Sequence, residues 1–373
     1  MSDSLIEYGP KGNSKEIENI LNYVFDSNME IKEEDKKPTP VCIWGTHGLG
    51  KTEMVRDFAK QRGWKFNYIA PAQFEEMGDL HGMPNVIENM DGKKITSYSP
   101  PDWVPLEEGP GILLIDDINR ADDRILRGCM QLLQNYELSS WKLPHKWQIV
   151  ATANPEGADY SVTPLDDAML TRMIHLTLTF NHKIWAEWAS KSGVDNRGIS
   201  FVLTYPELIN TKRTTPRSLT QFFDLIKDIK DLKENIDLVI SLALSTLDEV
   251  TTSSFTNFVN DDLQKLIDPE EILNTNNFSD IKKKIESLSK DSEGEKRTDR
   301  LSTITTRLYL YLTSSNYTES SNHSENLIKF LILDCLPKDL SMSFYMDLLK
   351  FSNKNIKNML RDRRLASFLV NAM

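Results

Sequence analysis

A glycine-rich stretch of eight residues constrains the fold of this chain more than any other feature. It has the sequence GTHGLGKT, fits the pattern G-x-x-x-x-G-K-[ST], and lies between an apolar run at 41–44 and a helical pattern at 53–62. Its residues are Gly45, Thr46, His47, Gly48, Leu49, Gly50, Lys51 and Thr52. Glycines in such a loop let backbone N–H groups converge on phosphate oxygens, and the N-terminus of the following helix attracts negative charge. We therefore predict that this loop binds phosphates, with Lys51 on the outer phosphates and the Thr52 hydroxyl on Mg²⁺.

Short apolar runs alternate with helical patterns on both sides of the loop. The predicted strands are 41–44, 65–69, 111–115, 147–153 and 174–178, and the predicted helices are 14–25, 53–62, 121–134 and 166–173. Strands that alternate with helices pair in parallel through right-handed crossovers. The expected fold class is therefore α/β, a P-loop NTPase fold with a parallel sheet and helices on both faces.

The pattern changes after about residue 181, where only helical apolar spacing remains. We predict an α/β nucleotide-binding domain at 1–200, and a helical lid with an extended C-terminal helical region at 201–373. Two insertions at about 85–99 and 135–147 interrupt the first domain as predicted hairpins. The first has alternating arms around Asp91-Gly92, a strong signal for a tight turn.

Composition limits the classes of partner. The 373 residues carry 44 basic and 55 acidic side chains, a formal net charge of −11, with 21 basic and 30 acidic residues in 1–200. Neither half is strongly basic, which disfavours a protein that holds nucleic acid mainly by neutralising phosphates. Three separated cysteines predict no disulfide framework. A secretory signal and an apolar stretch long enough to span a membrane are both missing from the sequence, so we expect a cytoplasmic protein.

Two consecutive carboxylates follow the apolar run of GILLIDDINRAD at 111–122. Asp116 and Asp117 would lie at the carboxyl edge of the sheet, where α/β folds bind ligands. We predict that Asp116 binds Mg²⁺ through water and that Asp117 polarises the attacking water. In isolation, the same pair is also typical of solvated acids that cap a helix.

These motifs resemble those of AAA+ ATPases and, within that class, of the MoxR family. The glycine-rich loop resembles Walker A, and LLIDDINRA resembles Walker B, except that Asp117 stands where the family has Glu. The segment ATANPE at 151–156 resembles sensor 1, which implies that Asn154 bonds the lytic water or the γ-phosphate. The two predicted hairpins fall where this clade carries its helix-2 insert and its pre-sensor-1 hairpin. The resemblance covers about residues 10–230.

Two arginines complete the resemblance. Arg172 in LDDAMLTRM matches the arginine finger that meets the nucleotide of a neighbouring subunit. Arg217 in TTPRSL matches sensor 2, which reaches the nucleotide from the lid. As alternatives, a surface ion pair would also explain Arg172, and either Arg120 or Arg124 could supply the finger.

The resemblance implies an ATP-hydrolysing motor that assembles into a ring or spiral, which we expect to be a hexamer. It implies a chaperone-like role on a protein client, commonly with a partner that has a von Willebrand factor A domain. One alternative is a motor acting on nucleic acid, for which Lys93 and Lys94 of the first hairpin would face the pore. Another is a nucleotide-gated structural protein with negligible turnover, since Asp117 is one methylene shorter than Glu.

Overall fold

The chain forms two compact units. The computed structural model describes residue 6 and residues 8–31, 36–88, 90–157, 162–209, 211–260, 266–290, 294–314, 317–351 and 353–365. The first unit is Met1–Phe180 and the second is Asn181–Met373. The division lies about 20 residues before the predicted boundary at 200. The reason is that the last strand of the sheet ends at Leu178, and the helices that follow it pack against other helices of the second unit.

The strands all lie in the first unit, within the part of the chain that the structure describes. In chain order they are β1 (Lys11–Gly12), β2 (Val41–Trp44), β3 (Lys65–Ile69), β4 (Met83–Glu88), β5 (Lys94–Ser99), β6 (Gly111–Ile115), β7 (Glu137–Leu138), β8 (Trp141–Lys142), β9 (Trp147–Ala153) and β10 (Ile174–Leu178).

Six of these strands form one sheet in the order β1-β10-β2-β9-β6-β3, and every neighbouring pair is parallel. The phosphate-loop strand β2 thus lies beside β9, and β9 separates it from β6. The register places Ile43 opposite Thr152 and Ile115 opposite Ala151. The carboxyl ends of β2, β9 and β6 therefore meet at one edge, which confirms the predicted parallel α/β sheet.

Helices cover both faces of the sheet, as predicted. Those of the first unit are α1 (Ser14–Met29), α2 (Lys51–Gln61), α3 (Met77–His81), α4 (Asp123–Asn135) and α5 (Asp167–Leu170). Strand β2 shows the two faces: Val41 and Ile43 pack with α1 and α2, whereas Cys42 and Trp44 pack with α4. This alternation follows from the two-residue period of a strand, and both layers are apolar because both faces of the sheet are buried.

Two antiparallel hairpins interrupt this layered core. Strand β4 pairs with β5 across the Asp91-Gly92 turn, and β7 pairs with β8 just before β9. Both arms of the first hairpin are largely exposed, whereas Leu138 and Trp141 of the second hairpin are buried in the core.

In the described residues of the second unit, α-helices joined by loops make up the architecture, with one isolated β-bridge between Lys290 and Lys296. Its helices are α6 (His182–Lys191), α7 (Asn196–Thr204), α8 (Pro216–Ile226), α9 (Ile236–Thr246), α10 (Glu249–Asn260), α11 (Pro269–Asn274), α12 (Phe278–Leu288), α13 (Thr298–Thr313), α14 (His323–Leu331), α15 (Lys338–Lys350) and α16 (Lys354–Met359). Among the described residues, none of the helices has the length and apolar character needed to cross a bilayer.

Candidate nucleotide site

The phosphate loop joins the end of β2 to the start of α2. Gly48 and Gly50 have φ angles of 72° and 87°, in the left-handed region that glycine adopts without strain. Helix α2 begins at Lys51, so the N–H groups of its first turn face the loop. The Lys51 side chain is buried, and its Nζ donates to the backbone oxygens of Gly45 at 2.7 Å and Thr46 at 3.2 Å. The ammonium is thus held inside the loop that is predicted to hold phosphates.

Asp116 lies at the end of β6, opposite the first turn of α2. Its Oδ1 accepts hydrogen bonds from the hydroxyls of Thr52 at 2.9 Å and Thr152 at 2.6 Å. Its Oδ2 accepts from the Tyr68 hydroxyl at 3.2 Å. A hydroxyl and a carboxylate side by side are the hard oxygen donors that Mg²⁺ takes from proteins at nucleotide sites. The Thr52–Asp116 pair therefore fits the predicted metal.

Asp117 has a different environment from its neighbour. Its backbone is left-handed, with φ and ψ both 47°. Its Oδ1 accepts from Nδ2 of Asn154 at 2.8 Å, and its Oδ2 lies 3.3 Å from Nε of Arg120. The carboxylate of Asp117 therefore lies beyond the end of β6, in contact with the side chain of Asn154.

Asn154 contacts both the phosphate loop and the acidic pair that follows β6. Its Oδ1 accepts from Lys51 Nζ at 3.2 Å, while its Nδ2 donates to Asp117. Its own backbone is held by buried Asn119, which accepts from the Asn154 N–H at 3.0 Å and donates to the Asn154 carbonyl at 2.8 Å. The structure thus brings together Lys51, Thr52, Asp116, Asp117 and Asn154, which the sequence spreads over about 100 residues.

Tyr68 was not predicted as a site residue. It lies on β3 beside β6 and donates to Asp116. Burial, together with the charge of Asp116 and this hydrogen bond, raises the pKa of Tyr68 to about 12. The phenol therefore stays protonated at neutral pH and serves the carboxylate as a donor.

Arg172 lies just after α5 and before β10. Its Nε donates to Oε1 of Gln134 at 3.0 Å, and its Nη1 donates to the carbonyl of Ala168. Its hydrogen bonds therefore go to α4 and α5 rather than to Asp116 or Asp117. The role of Arg172 stays a prediction that concerns a neighbouring subunit.

Arg217 belongs to the second unit, where it is exposed in the first turn of α8. The preceding loop is tied to Asp248, whose Oδ2 accepts from the hydroxyls of Thr211 at 2.5 Å and Thr214 at 2.6 Å. These hydroxyl bonds, with further bonds from Thr251, lower the pKa of Asp248 to about 2 against the opposing effect of burial. The loop that precedes Arg217 is thus anchored by hydrogen bonds within the second unit.

Thr152, Asn119 and Tyr68 are the residues that sequence reasoning missed. One signal could have found Thr152: it stands on the predicted strand two residues before Asn154, which directly follows that strand, so the alternation of side chains places both on one side. Asn119 and Tyr68 carry no such signal, because their positions beside the site depend on the 118–120 turn and on the pairing of β3 with β6.

Part of the chain is similar to a known protein family, and its fold is similar to that of solved structures. Residues 40–173 match the family model described as AAA domain (dynein-related subfamily). No curated protein sequence matches the chain. The fold is similar to that of the Thermotoga maritima RuvB Holliday junction branch migration motor, with 15% identity, a TM-score of 0.40, and 69% of this chain and 79% of that chain covered. It is also similar to a proposed ATPase from Cytophaga hutchinsonii, with 14% identity, a TM-score of 0.34, and 93% of this chain and 88% of that chain covered.

The family match spans the phosphate loop, the two carboxylates and Asn154. It begins at the residue before β2 and ends at the residue before β10, so it covers the strands whose ends form the site. Residues 40–173 thus match the AAA domain of the dynein-related subfamily, and the chain is an ATPase.

Proposed function

We propose that this ATPase is a motor of the MoxR type, which assembles into a hexameric ring or spiral and remodels a protein partner in the cytoplasm. Its partner would be a protein client or a protein with a von Willebrand factor A domain. The exposed apolar side chains of the β4–β5 hairpin are the observation that favours a protein partner over a nucleic acid.

The arrangement of side chains supports ATP hydrolysis as the driving reaction. Lys51 would bind the outer phosphates, Thr52 and Asp116 would hold Mg²⁺, and the ion would neutralise phosphate charge. Asp117 would accept the proton of the water that attacks the γ-phosphorus, while the bond from that phosphorus to the ADP oxygen breaks. Asn154 would orient that water, since its amide already joins Lys51 and Asp117. Arg217 would contact the nucleotide, and Arg172 would contact that of a neighbour.

The surface of the β4–β5 hairpin supports a protein partner. Val86 is 72% exposed and Met90 is fully exposed, and Met83, Ile87 and Ile95 are exposed as well. Apolar side chains on both faces of an isolated two-stranded ribbon are unfavourable in water unless a partner covers them. Between residues 83 and 99, two acidic and two basic side chains cancel, so the hairpin presents no excess positive charge to phosphates.

ATP turnover with different added polymers tests the proposal. Hydrolysis is measured for the protein alone, with an unfolded model polypeptide, with a purified von Willebrand factor A domain, and with single- and double-stranded DNA or RNA. We expect stimulation by one of the two protein probes. The same samples, examined by analytical ultracentrifugation with a slowly hydrolysed ATP analogue, should contain hexamers.

Hairpin variants make the test specific. Val86→Ser combined with Met90→Ser should remove the stimulation and leave basal turnover unchanged. Tyr23→Ser, which alters an exposed aromatic on α1, is the matched control and should keep the stimulation. Stimulation by nucleic acid alone, lost in Lys93→Ala combined with Lys94→Ala, would overturn the proposal in favour of a nucleic-acid motor.

A further inference from the structure

A single buried hydroxyl connects the two acidic residues of the site. Thr152 is 0% exposed, and its Oγ1 donates to Oδ1 of Asp116 at 2.6 Å. The same oxygen accepts the backbone N–H of Asp117 at 2.8 Å. Thr152 thus contacts both residues, through the carboxylate of one and the backbone of the other.

Strand pairing explains this position. β9 lies between β2 and β6, and Ala151 pairs with Ile115, the last residue of β6. Thr152 is therefore next to the point where the chain leaves β6 with its two acids. Asn154 directly follows β9, two residues after Thr152, and its side chain contacts that of Asp117.

The hydrogen-bond pattern leaves the hydroxyl one orientation. A threonine hydroxyl has one hydrogen and two acceptor sites. The N–H of Asp117 occupies one acceptor site, and the hydrogen is directed to Asp116, because a carboxylate oxygen can only accept. The Oδ1 that receives it also accepts from Thr52, the second predicted metal ligand, at 2.9 Å. Thr152 therefore sets the rotation of the carboxylate that would hold Mg²⁺.

The second bond acts on the backbone of Asp117. Its left-handed conformation, with φ at 47°, is unfavourable for a non-glycine residue. The bond from its N–H to Thr152 holds the peptide in that conformation, and this conformation turns the Asp117 carboxylate towards Asn154. One hydroxyl thereby fixes the angle between the predicted metal-binding and water-activating carboxylates.

We propose that Thr152 is a positioning residue for ATP hydrolysis, which orients Asp116 towards the metal and Asp117 towards the attacking water. This inference rests on the roles given to the two carboxylates under the proposed function, and it does not depend on the identity of the partner. Residues that orient metal ligands typically change metal affinity or activity by about 10–100-fold when they are removed.

The experiment compares Thr152→Val, which keeps the shape and removes the hydroxyl, with Thr152→Ser, which keeps the hydroxyl. Basal ATP turnover is measured against Mg²⁺ concentration at saturating ATP, and ATP binding is measured by calorimetry in EDTA. Thr152→Val should lower turnover about 10–100-fold and raise the Mg²⁺ concentration for half-maximal rate, with ATP binding in EDTA unchanged. Thr152→Ser should stay close to wild type in all three measurements.

Thr177→Val is the matched control, because Thr177 is also a fully buried strand threonine, and its hydroxyl bonds the Tyr8 carbonyl instead of the site. Wild-type turnover and Mg²⁺ dependence in Thr152→Val would overturn the proposal. Equal losses in both valine variants, with unchanged Mg²⁺ dependence, would also overturn it, since they would indicate a purely structural role. If Thr152→Val does not fold, Thr152→Ala replaces it with the same expected results.

Asp117→Asn, measured in the same series, separates this inference from the one on which it rests. If Asp117→Asn turns over normally, the assigned role of Asp117 is wrong, whatever Thr152 does. If Asp117→Asn is slow while Thr152→Val equals wild type, the carboxylate assignment stands and the positioning role of Thr152 is rejected.

Discussion

The two units use buried polar side chains in different ways. In the first unit, Lys51, Asn119, Thr152 and Asn154 are buried together where β2, β6 and β9 end. In the second unit, buried polar residues are spread over the helices and are satisfied locally. Arg307, for example, donates to the Leu266 carbonyl and to Asp268, and Thr204 bonds Thr303.

The difference follows from the geometry of the elements. Parallel strands end at one common edge, so polar residues that follow different strands converge on a shared space. Helices that pack side by side meet along their lengths, so buried polar groups form separate small clusters, such as those around Asp248 and His323, instead of one shared site. A buried polar network therefore indicates a site only where several chain segments end together.

The largest expected effect is that of Lys51→Ala. The substitution removes the charged contact to the phosphates, and tight ATP binding should be lost. Calorimetry with ATP measures the affinity. Lys60→Ala, on the exposed side of the same helix, is the matched control and should bind ATP like wild type. Equal ATP affinity in Lys51→Ala and wild type would refute the assignment of the phosphate loop.

Arg172 tests whether the site extends to a second subunit. Arg172→Ala should lower turnover by about 10³–10⁵-fold if the arginine acts on the neighbour's γ-phosphate. Mixing Arg172→Ala with Lys51→Ala should restore part of the activity, because an intact loop on one subunit can then meet an intact arginine on another. This rescue should rise with protein concentration.

The competing arginines are distinguished in the same assay. Arg120 forms an ion pair with Asp117 of its own chain, and Arg124 is exposed in the first turn of α4. Normal turnover in Arg172→Ala, together with loss of turnover in Arg120→Ala or Arg124→Ala, would move the finger to that residue.

Variants of Asp117 separate ATP binding from ATP hydrolysis within the first unit. Asp117→Asn should bind ATP but hydrolyse it about 10²–10⁴-fold more slowly, because an amide cannot accept the proton of the attacking water. Asp117→Glu should keep or raise the rate. Asp123→Asn on the surface of α4 serves as the control. Wild-type hydrolysis in Asp117→Asn would mean that another group is the base.

The smallest expected effect lies in the second unit, where His323 is buried. Its Nδ1 faces the Tyr317 hydroxyl at 2.9 Å and accepts the Ser320 N–H at 3.3 Å, and its Nε2 donates to Oδ1 of Asn274 at 2.8 Å. Burial lowers the pKa of His323 below its usual value. The folded state thus favours the neutral ring, so the stability from this residue is present above about pH 6.5 and decreases as the pH falls below that value.

Urea unfolding at pH 7.5 and 5.5 measures this contribution. His323→Gln should lose less stability than wild type between these pH values, by at most about 1.4 kcal/mol per pH unit. Its ATP affinity at pH 7.5 should equal that of wild type, in contrast to Lys51→Ala. His145→Gln, which changes an exposed histidine of the first unit, should keep the wild-type pH dependence of unfolding. A pH dependence that His323→Gln leaves unaltered would contradict the prediction.

The local geometry of the candidate site could be predicted from the sequence alone. Gly48, Gly50, Lys51 and Thr52 lie within a loop of a few residues, and their spacing already places a helix N-terminus beside them. The alternation of strands and helices likewise determined the parallel sheet, because a chain of this order has few ways to bury its apolar runs. It also placed Asp116, Asp117 and Asn154 at the carboxyl edge of that sheet.

Only the tertiary structure decided how those residues meet. The contact of Thr152 with both acids depends on the register of β9 against β6, and the contact of Tyr68 with Asp116 depends on the pairing of β3 with β6. Asp117 has a left-handed backbone, and its N–H bonds Thr152 across the same register. The boundary between the units also depended on packing, since α6 and α7 have helical sequences that could follow either unit. Sequence spacing determines which residues share a face of one element, whereas distances between elements are set only when the apolar layers pack together.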